Sequence, residues 1–330
     1  MSVANPFQAY IRLDQPRLGS RVVHASDDFF GAKERLIDPV EPVFIADKYD
    51  EHGKWMDGWE SRRRRTPGHD FAVIRLGIPG VVRGVDIDTS HFTGNYPPEA
   101  SIDACISEDE NPEEGWEPLL ARTRLEADSH HYLPVDVDAS VTHLRLNIFP
   151  DGGVARLRVY GEVRPLSFDE DEESGMIDLF ALRHGGRALA ASDAHFGSMH
   201  NLNLPGRGIN MGDGWETARR RGPGNDWVIV ALGRAGTVER AEIDTGHFKG
   251  NYPDHVVLEG GSFDSNEAAQ NESDEWRVLL PEAKLSMDQQ HFFETELEAL
   301  GSITHVRMSI FPDGGISRLR LFGHASEDDE

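Results

Sequence analysis

Short stretches of alternating or continuous apolar residues recur along this chain, set apart by turn residues. Phe71 to Leu76, Val81 to Ile87, His143 to Ile148 and Ala155 to Tyr160 each read as a strand. Clusters such as Ile78-Pro79-Gly80 and Pro150-Asp151-Gly152 bound them. The pattern returns at Trp227 to Leu232, Val238 to Ile243, Thr304 to Ile310 and Ser317 to Phe322. Long capped amphipathic helices are missing, and only Ala32 to Ile37 reads as a short helix. Many short strands with regular turn signals predict an all-β fold, a sandwich or jelly roll.

The strands recur because the chain is written twice. Asp57-Gly58-Trp59-Glu60 returns as Asp213-Gly214-Trp215-Glu216, and Arg63-Arg64-Arg65 as Arg219-Arg220-Arg221. Ile87-Asp88-Thr89 with His91-Phe92 matches Ile243-Asp244-Thr245 with His247-Phe248. Gly94-Asn95-Tyr96-Pro97 matches Gly250-Asn251-Tyr252-Pro253. Phe149-Pro150-Asp151-Gly152-Gly153 matches Phe311-Pro312-Asp313-Gly314-Gly315, and His131 answers His291. Two copies are too few for a solenoid, so each is expected to close as its own domain. The expected division is 1–168 for the first repeat, 169–176 for an acidic linker and 177–330 for the second repeat.

Charge narrows the set of partners. The net charge of −25 opposes binding to nucleic acid and to anionic membranes, both of which call for clustered Lys and Arg. The acidic runs Asp169 to Glu173 and Glu327 to Glu330 read as a solvated linker and tail. No apolar run is long enough to span a bilayer, and the first residues do not read as a secretory signal. Cys105 is the single cysteine, which fits a reducing cytosol, and it reads as a buried structural thiol in a strand.

Phosphate loops, dinucleotide fingerprints, His-Glu-x-x-His helices and Gly-x-Ser-x-Gly elbows are all absent from the sequence. Four repeated clusters remain, each with a plain reading beside a chemical one. Asp57 to Glu60 is a turn followed by a core Trp, yet Glu60 and Glu216 also suit a general acid or base. The arginine runs are either a solvated surface or a bidentate carboxylate clamp. Asn95 and His91, with Asn251 and His247, either hold a turn or act as carbonyl donor and acid/base group or metal ligand. Asp151 and Asp313 form an ordinary Pro-Asp-Gly turn, or pair with Arg156 and Arg318. His131 and His291 read as satisfied structural histidines.

These strings, taken in order, closely resemble the allantoicase family, and the resemblance runs from about Gly19 to Gly323, doubling included. It implies two tandem homologous jelly-roll β-sandwiches of the galactose-binding, discoidin-like kind. It also implies a homo-oligomeric hydrolase that converts the small molecule allantoate and water into ureidoglycolate and urea. The chemistry then needs an acid for the departing urea, a base for the attacking water, and a holder for the substrate carboxylate. Glu60 with His91, or Glu216 with His247, is expected to do the acid/base work. Arg63 or Arg219 is expected to hold the carboxylate, and Asn95 or Asn251 a ureido group, supported by Asp57 or Asp213.

A divalent metal would suit the His, Asp and Glu donors, although no tight ligand spacing marks one, and no metal ligand or cofactor is assigned. Two rival readings stand beside this one: a non-catalytic sugar- or surface-binding sandwich, and a hydrolase of a related ureido acid. The copies differ at Ser90 and Gly246, Thr93 and Lys249, His69 and Asn225, and Arg62 and Ala218, so their sites need not be equivalent.

Overall fold

The computed structural model describes residues 5–166, 175–271 and 274–326. Most of the expected acidic linker, 169–174, and the acidic tail, 327–330, lie outside the described residues. The chain divides into two compact units, residues 1–166 and 167–330. Each is a jelly-roll β-sandwich built on the same strand order.

The spine of the first unit is the strand Asp70–Asp88. Its first part pairs with Ser140–Phe149 and Arg21–Ala25, and its later part with Arg156–Val163 and His130–Pro134. One strand therefore serves both layers, turning the corner between them by a bend. Asp226–Asp244 does the same in the second unit. This corrects the sequence reading, which split each spine in two at its Gly-rich centre. The Pro79 carbonyl accepts the Arg164 N–H, so pairing continues past the proline. Gly77 permits the bend by close approach: a Cβ there would stand 2.0 Å from the Leu18 carbonyl oxygen.

Alternation then sorts the side chains. Ile74, Leu76, Val82, Val85 and Ile87 from the spine join Leu144, Leu146, Ile148, Leu157 and Val159 in one core with Trp59. The second unit builds its own core around Trp215, Val228, Val230, Ile243, Met308 and Leu319. The segment read as a short helix is a 3₁₀ turn at Lys33–Ile37. Cys105 ends the strand Glu99–Cys105 and is buried, and burial pushes its thiol pKa up. His131 accepts the Glu126 N–H at Nε2 (2.8 Å) and donates from Nδ1 to the Ile87 carbonyl (2.6 Å), so it is a satisfied structural histidine. His291 repeats this with Ser286 and Ile243.

Candidate active site

Asp57-Gly58-Trp59-Glu60 runs into the two-residue strand Trp59–Glu60, whose alternation separates two tasks. Trp59 points into the core, with no exposed surface, and its Nε1 donates to the Asp27 carbonyl (2.8 Å). Glu60 points the other way and is half-buried. Its backbone is held on both sides, by Gly31 and by the paired strand Gly153–Val154.

The Asn95 loop meets Glu60 from across that strand. Asn95 Nδ2 donates to Glu60 Oε1 (2.7 Å), while its backbone carbonyl accepts the Gly153 N–H (2.7 Å). Gly153 is required here, since a Cβ would stand 2.0 Å from the Phe92 ring. Burial raises the Glu60 carboxyl above the ordinary range, and the Asn95 hydrogen bond only partly offsets this. Burial thus favours the protonated form of Glu60 more than it would be favoured in an exposed glutamate.

Glu60 and Asn95 line a cleft of about 620 Å³ together with Ser61, Arg63, Tyr96 and Asp151. Arg63 is exposed on the wall and engages no carboxylate among the described residues. Arg64 beside it is committed to the buried Asp70 (2.6 Å). Asp151 Oδ2 accepts the Arg64 backbone N–H (2.7 Å), and Ser61 and Gly152 exchange hydrogen bonds (3.1 and 3.3 Å). The cleft therefore presents a protonatable carboxyl, an amide, an unengaged guanidinium and a second carboxylate.

The second unit repeats these contacts. Asn251 donates to Glu216, the Gly315 N–H donates to the Asn251 carbonyl (2.8 Å), and Asp313 accepts the Arg220 N–H (2.9 Å).

The allantoicase repeat model matches residues 11–164 and again 177–326. The chain belongs to the allantoicase family. A probable allantoicase of Pseudomonas aeruginosa is 55% identical over 322 residues, 96% of this chain and 97% of that one. A second, from Burkholderia pseudomallei, is 54% identical over 95% of this chain and 94% of its own. The crystal structure of the Saccharomyces cerevisiae allantoicase superposes with a TM-score of 0.76 at 35% identity, covering 95% and 93% of the two chains.

Against this allantoicase frame, the structure brings Glu60, Arg63 and Asn95 to one cleft but not His91 or Asp57. His91 adopts a left-handed backbone, φ 69°, with its N–H on Asp128 (2.7 Å). Its ring Nε2 donates to the Pro42 carbonyl (3.2 Å). The expected Glu60–His91 pairing is therefore not formed, because the left-handed turn carries the ring to the loop at Pro42. His247 is turned in the same way, φ 72°, onto the Gly208 carbonyl (2.8 Å), away from Glu216.

Asp57 does not support the cleft directly either. Its Oδ2 accepts from the buried Arg156 (3.0 Å) and from the Val43 N–H (3.0 Å). Burial pushes the Asp57 carboxyl up, but Arg156 and that N–H outweigh burial and hold it below the usual range. Asp213 clasps Arg318 (2.8 Å) and the Ile209 N–H (3.1 Å) in the same manner. Arg156 thus pairs with Asp57 rather than with Asp151, and Arg318 with Asp213 rather than Asp313. Together Asp57, His91 and Arg156 clamp the loop around Val40 to Val43, since Arg156 Nε also donates to the Val40 carbonyl (2.9 Å).

The cleft position of Asp151 had no sequence signal beyond its repetition, because Pro-Asp-Gly-Gly is what any tight turn looks like. Among the described residues, no three His, Cys, Asp or Glu side chains converge as a metal ligand set.

Proposed function

We infer that this chain catalyses the hydrolysis of allantoate to ureidoglycolate and urea, the breakdown step its family name denotes. The observation that carries the reading is the cleft in which Glu60, its carboxyl pKa raised by burial, meets Asn95 beside the unengaged Arg63. Arg63 takes the substrate carboxylate in a bidentate grip. Asn95 orients a ureido group, its side-chain amide already directed at Glu60. Glu60 gives its proton to the nitrogen of the departing urea, since urea leaves poorly as an anion. Glu216, Arg219 and Asn251 take the same roles in the second repeat. His91, His247, Asp57 and Asp213 serve as supports of the adjoining loops, and no step is assigned to them.

The two-repeat organisation, with 169–176 as linker, belongs to the same reading. The family matches stop at 164 and resume at 177, which supports it. So does a homo-oligomer in the cytosol. Its support is the family, the single buried thiol Cys105, and the lack among the described residues of a helix long and apolar enough to cross a membrane.

The test is urea release from allantoate by purified protein, with and without a chelator. Release that survives chelation supports acid/base chemistry by side chains. Release lost on chelation and restored by one metal would overturn that mechanism. Release from ureidoglycolate but not from allantoate would move the substrate to a related ureido acid.

A further inference from the structure

We propose that Asp151, and Asp313 in the second repeat, is the general base that takes the proton from the attacking water. The inference rests on the allantoate reading above and completes its chemistry. Hydrolysis needs a group to receive that proton, and the repeated histidine that sequence offered for the task is turned onto the Pro42 carbonyl instead.

The cleft supplies a replacement. Its wall carries two carboxyl groups, Glu60 and Asp151. Glu60 is bound to Asn95 and is spent as the acid. Arg63 and Arg64 are cations and cannot accept a proton. Asp151 is held firmly: Arg64 N–H donates to its Oδ2 (2.7 Å), and the next two residues are tied to Ser61 and Asn95. Oδ1 carries no hydrogen bond among the described residues and is left to receive one from water. The anchor N–H belongs to the residue after Arg63, so the base is tied to the backbone next to the carboxylate holder. Asp313 keeps the same anchor on Arg220 (2.9 Å).

The step balances as follows. The C–N bond to the departing ureido group breaks with both electrons passing to that nitrogen, which takes the Glu60 proton and leaves as urea. The lone pair of the retained ureido nitrogen forms a C=N bond at the central carbon. Water adds to that carbon, its oxygen forming the C–O bond while the C=N pair returns to nitrogen. One water proton passes to Asp151. Glu60, now ionised, and Asp151, now protonated, return to their starting states by proton exchange with solvent. No oxidant or co-reactant is needed.

The deciding variant is Asp151→Asn with Asp313→Asn. The Asn side-chain oxygen still accepts the Arg64 and Arg220 N–H groups, so the turn keeps its anchor while the base is gone. We expect kcat to fall by about 10²–10⁴-fold with KM and the thermal transition held, the range typical for loss of a general base. Turnover within about threefold of wild type would overturn the proposal, because a neutral amide cannot take up the water proton and loss of a general base costs far more than about threefold. Should that protein fail to fold, Asp151→Ser with Asp313→Ser keeps a hydroxyl acceptor and opens space for a small carboxylate. Added formate is then expected to restore turnover saturably, and folded protein with no formate response would refute the base. Absence of urea release by the wild type would instead sink the underlying function, which separates the two failures.

Discussion

Replacing Asp57 by Ala tests whether this repeated residue is a clamp or a substrate group. The Asp57 and Arg156 side chains are 13% and 1% exposed and lie 3.0 Å apart. Removing one partner of a buried pair typically costs about 3–5 kcal/mol, because the other charge is stranded. Here Arg156 keeps the carbonyls of Val40, Asp57 and Ala155 as acceptors, which places the loss near the low end, about 3 kcal/mol. For a unit of this size that lowers the unfolding temperature of the first repeat by about 6–12 °C. The sign with pH follows from the depressed folded-state pKa. The Asp57 contribution is present above the ordinary aspartate value and is lost as pH falls through the depressed one, so wild type and variant converge in acid. Calorimetry, with hydrogen exchange at Val43 and its neighbours, reads the loss directly. Urea release per folded molecule, measured well below the transition in the paired variant Asp57→Ala with Asp213→Ala so that neither repeat masks the other, is expected to stay within about threefold of wild type. A paired variant of undiminished stability whose kcat falls more than about 100-fold would refute the clamp and return Asp57 and Asp213 to the substrate.

Glu60→Gln with Glu216→Gln is expected to cut kcat by about 10²–10⁴-fold. In the wild type the acid form of Glu60 is lost as pH rises through its raised value, so turnover falls on the alkaline side. The matching stability contribution, complete below the ordinary glutamate value, fades over the same rise, and Glu60→Gln is expected to remove that dependence in urea titrations. Arg63→Ala with Arg219→Ala is expected to lower kcat/KM by about 10–100-fold, chiefly through KM, if a bidentate carboxylate contact is lost. Gly153→Ala puts a Cβ 2.0 Å from the Phe92 ring and is expected to destabilise the first repeat by at least about 2 kcal/mol, seen as a lowered melting transition. Cys105 is buried with a raised pKa, so native protein is expected to resist thiol labelling that proceeds in denaturant, and Cys105→Ala to keep turnover within about twofold.

The fold was legible because repetition and alternation report directly on packing. Leu144, Leu146 and Ile148 alternate in sequence and lie together in the core, and the doubling from Asp57 to Pro97 maps onto two units of the same strand order. The continuity of Asp70–Asp88 was not legible. Gly77-Ile78-Pro79-Gly80 is turn punctuation by composition, and only the spatial neighbours Leu18 and Arg164 reveal that these residues bend a strand rather than end it. A local pattern cannot tell a corner from a break when the deciding contacts come from elsewhere in the chain.

The site was harder for a related reason: repetition marks every residue a domain needs, scaffold and chemistry alike. Asp57 and Glu60 stand three positions apart, equally repeated, yet the partner of Asp57 is Arg156, far along the sequence, whereas Glu60 meets Asn95 in a cleft. His91 carries no sequence mark of its left-handed backbone, which alone sends its ring to Pro42. The differences between the copies sharpen the distinction. Arg62, His69, Ser90 and Thr93, which the second repeat replaces, do not line the cleft. Arg62 serves a surface pair with Asp27 through its guanidinium, and the backbone contact of Arg62 N–H with Asp27 is kept in the second copy by Ala218 N–H and Asp193. By contrast Glu60, Arg63, Asn95, Tyr96 and Asp151 recur unchanged as Glu216, Arg219, Asn251, Tyr252 and Asp313. Ser61 becomes Thr217, which still accepts the Gly314 N–H (3.1 Å) through its hydroxyl. Pro98, which also lines the cleft, becomes Asp254, a carboxylate paired with Lys284, while both repeats keep the Glu, Arg, Asn and Asp that the proposed reaction uses. A single substitution in one repeat leaves the other set intact, which is why the paired variants, and not the single ones, decide the roles of Glu60 and Asp151.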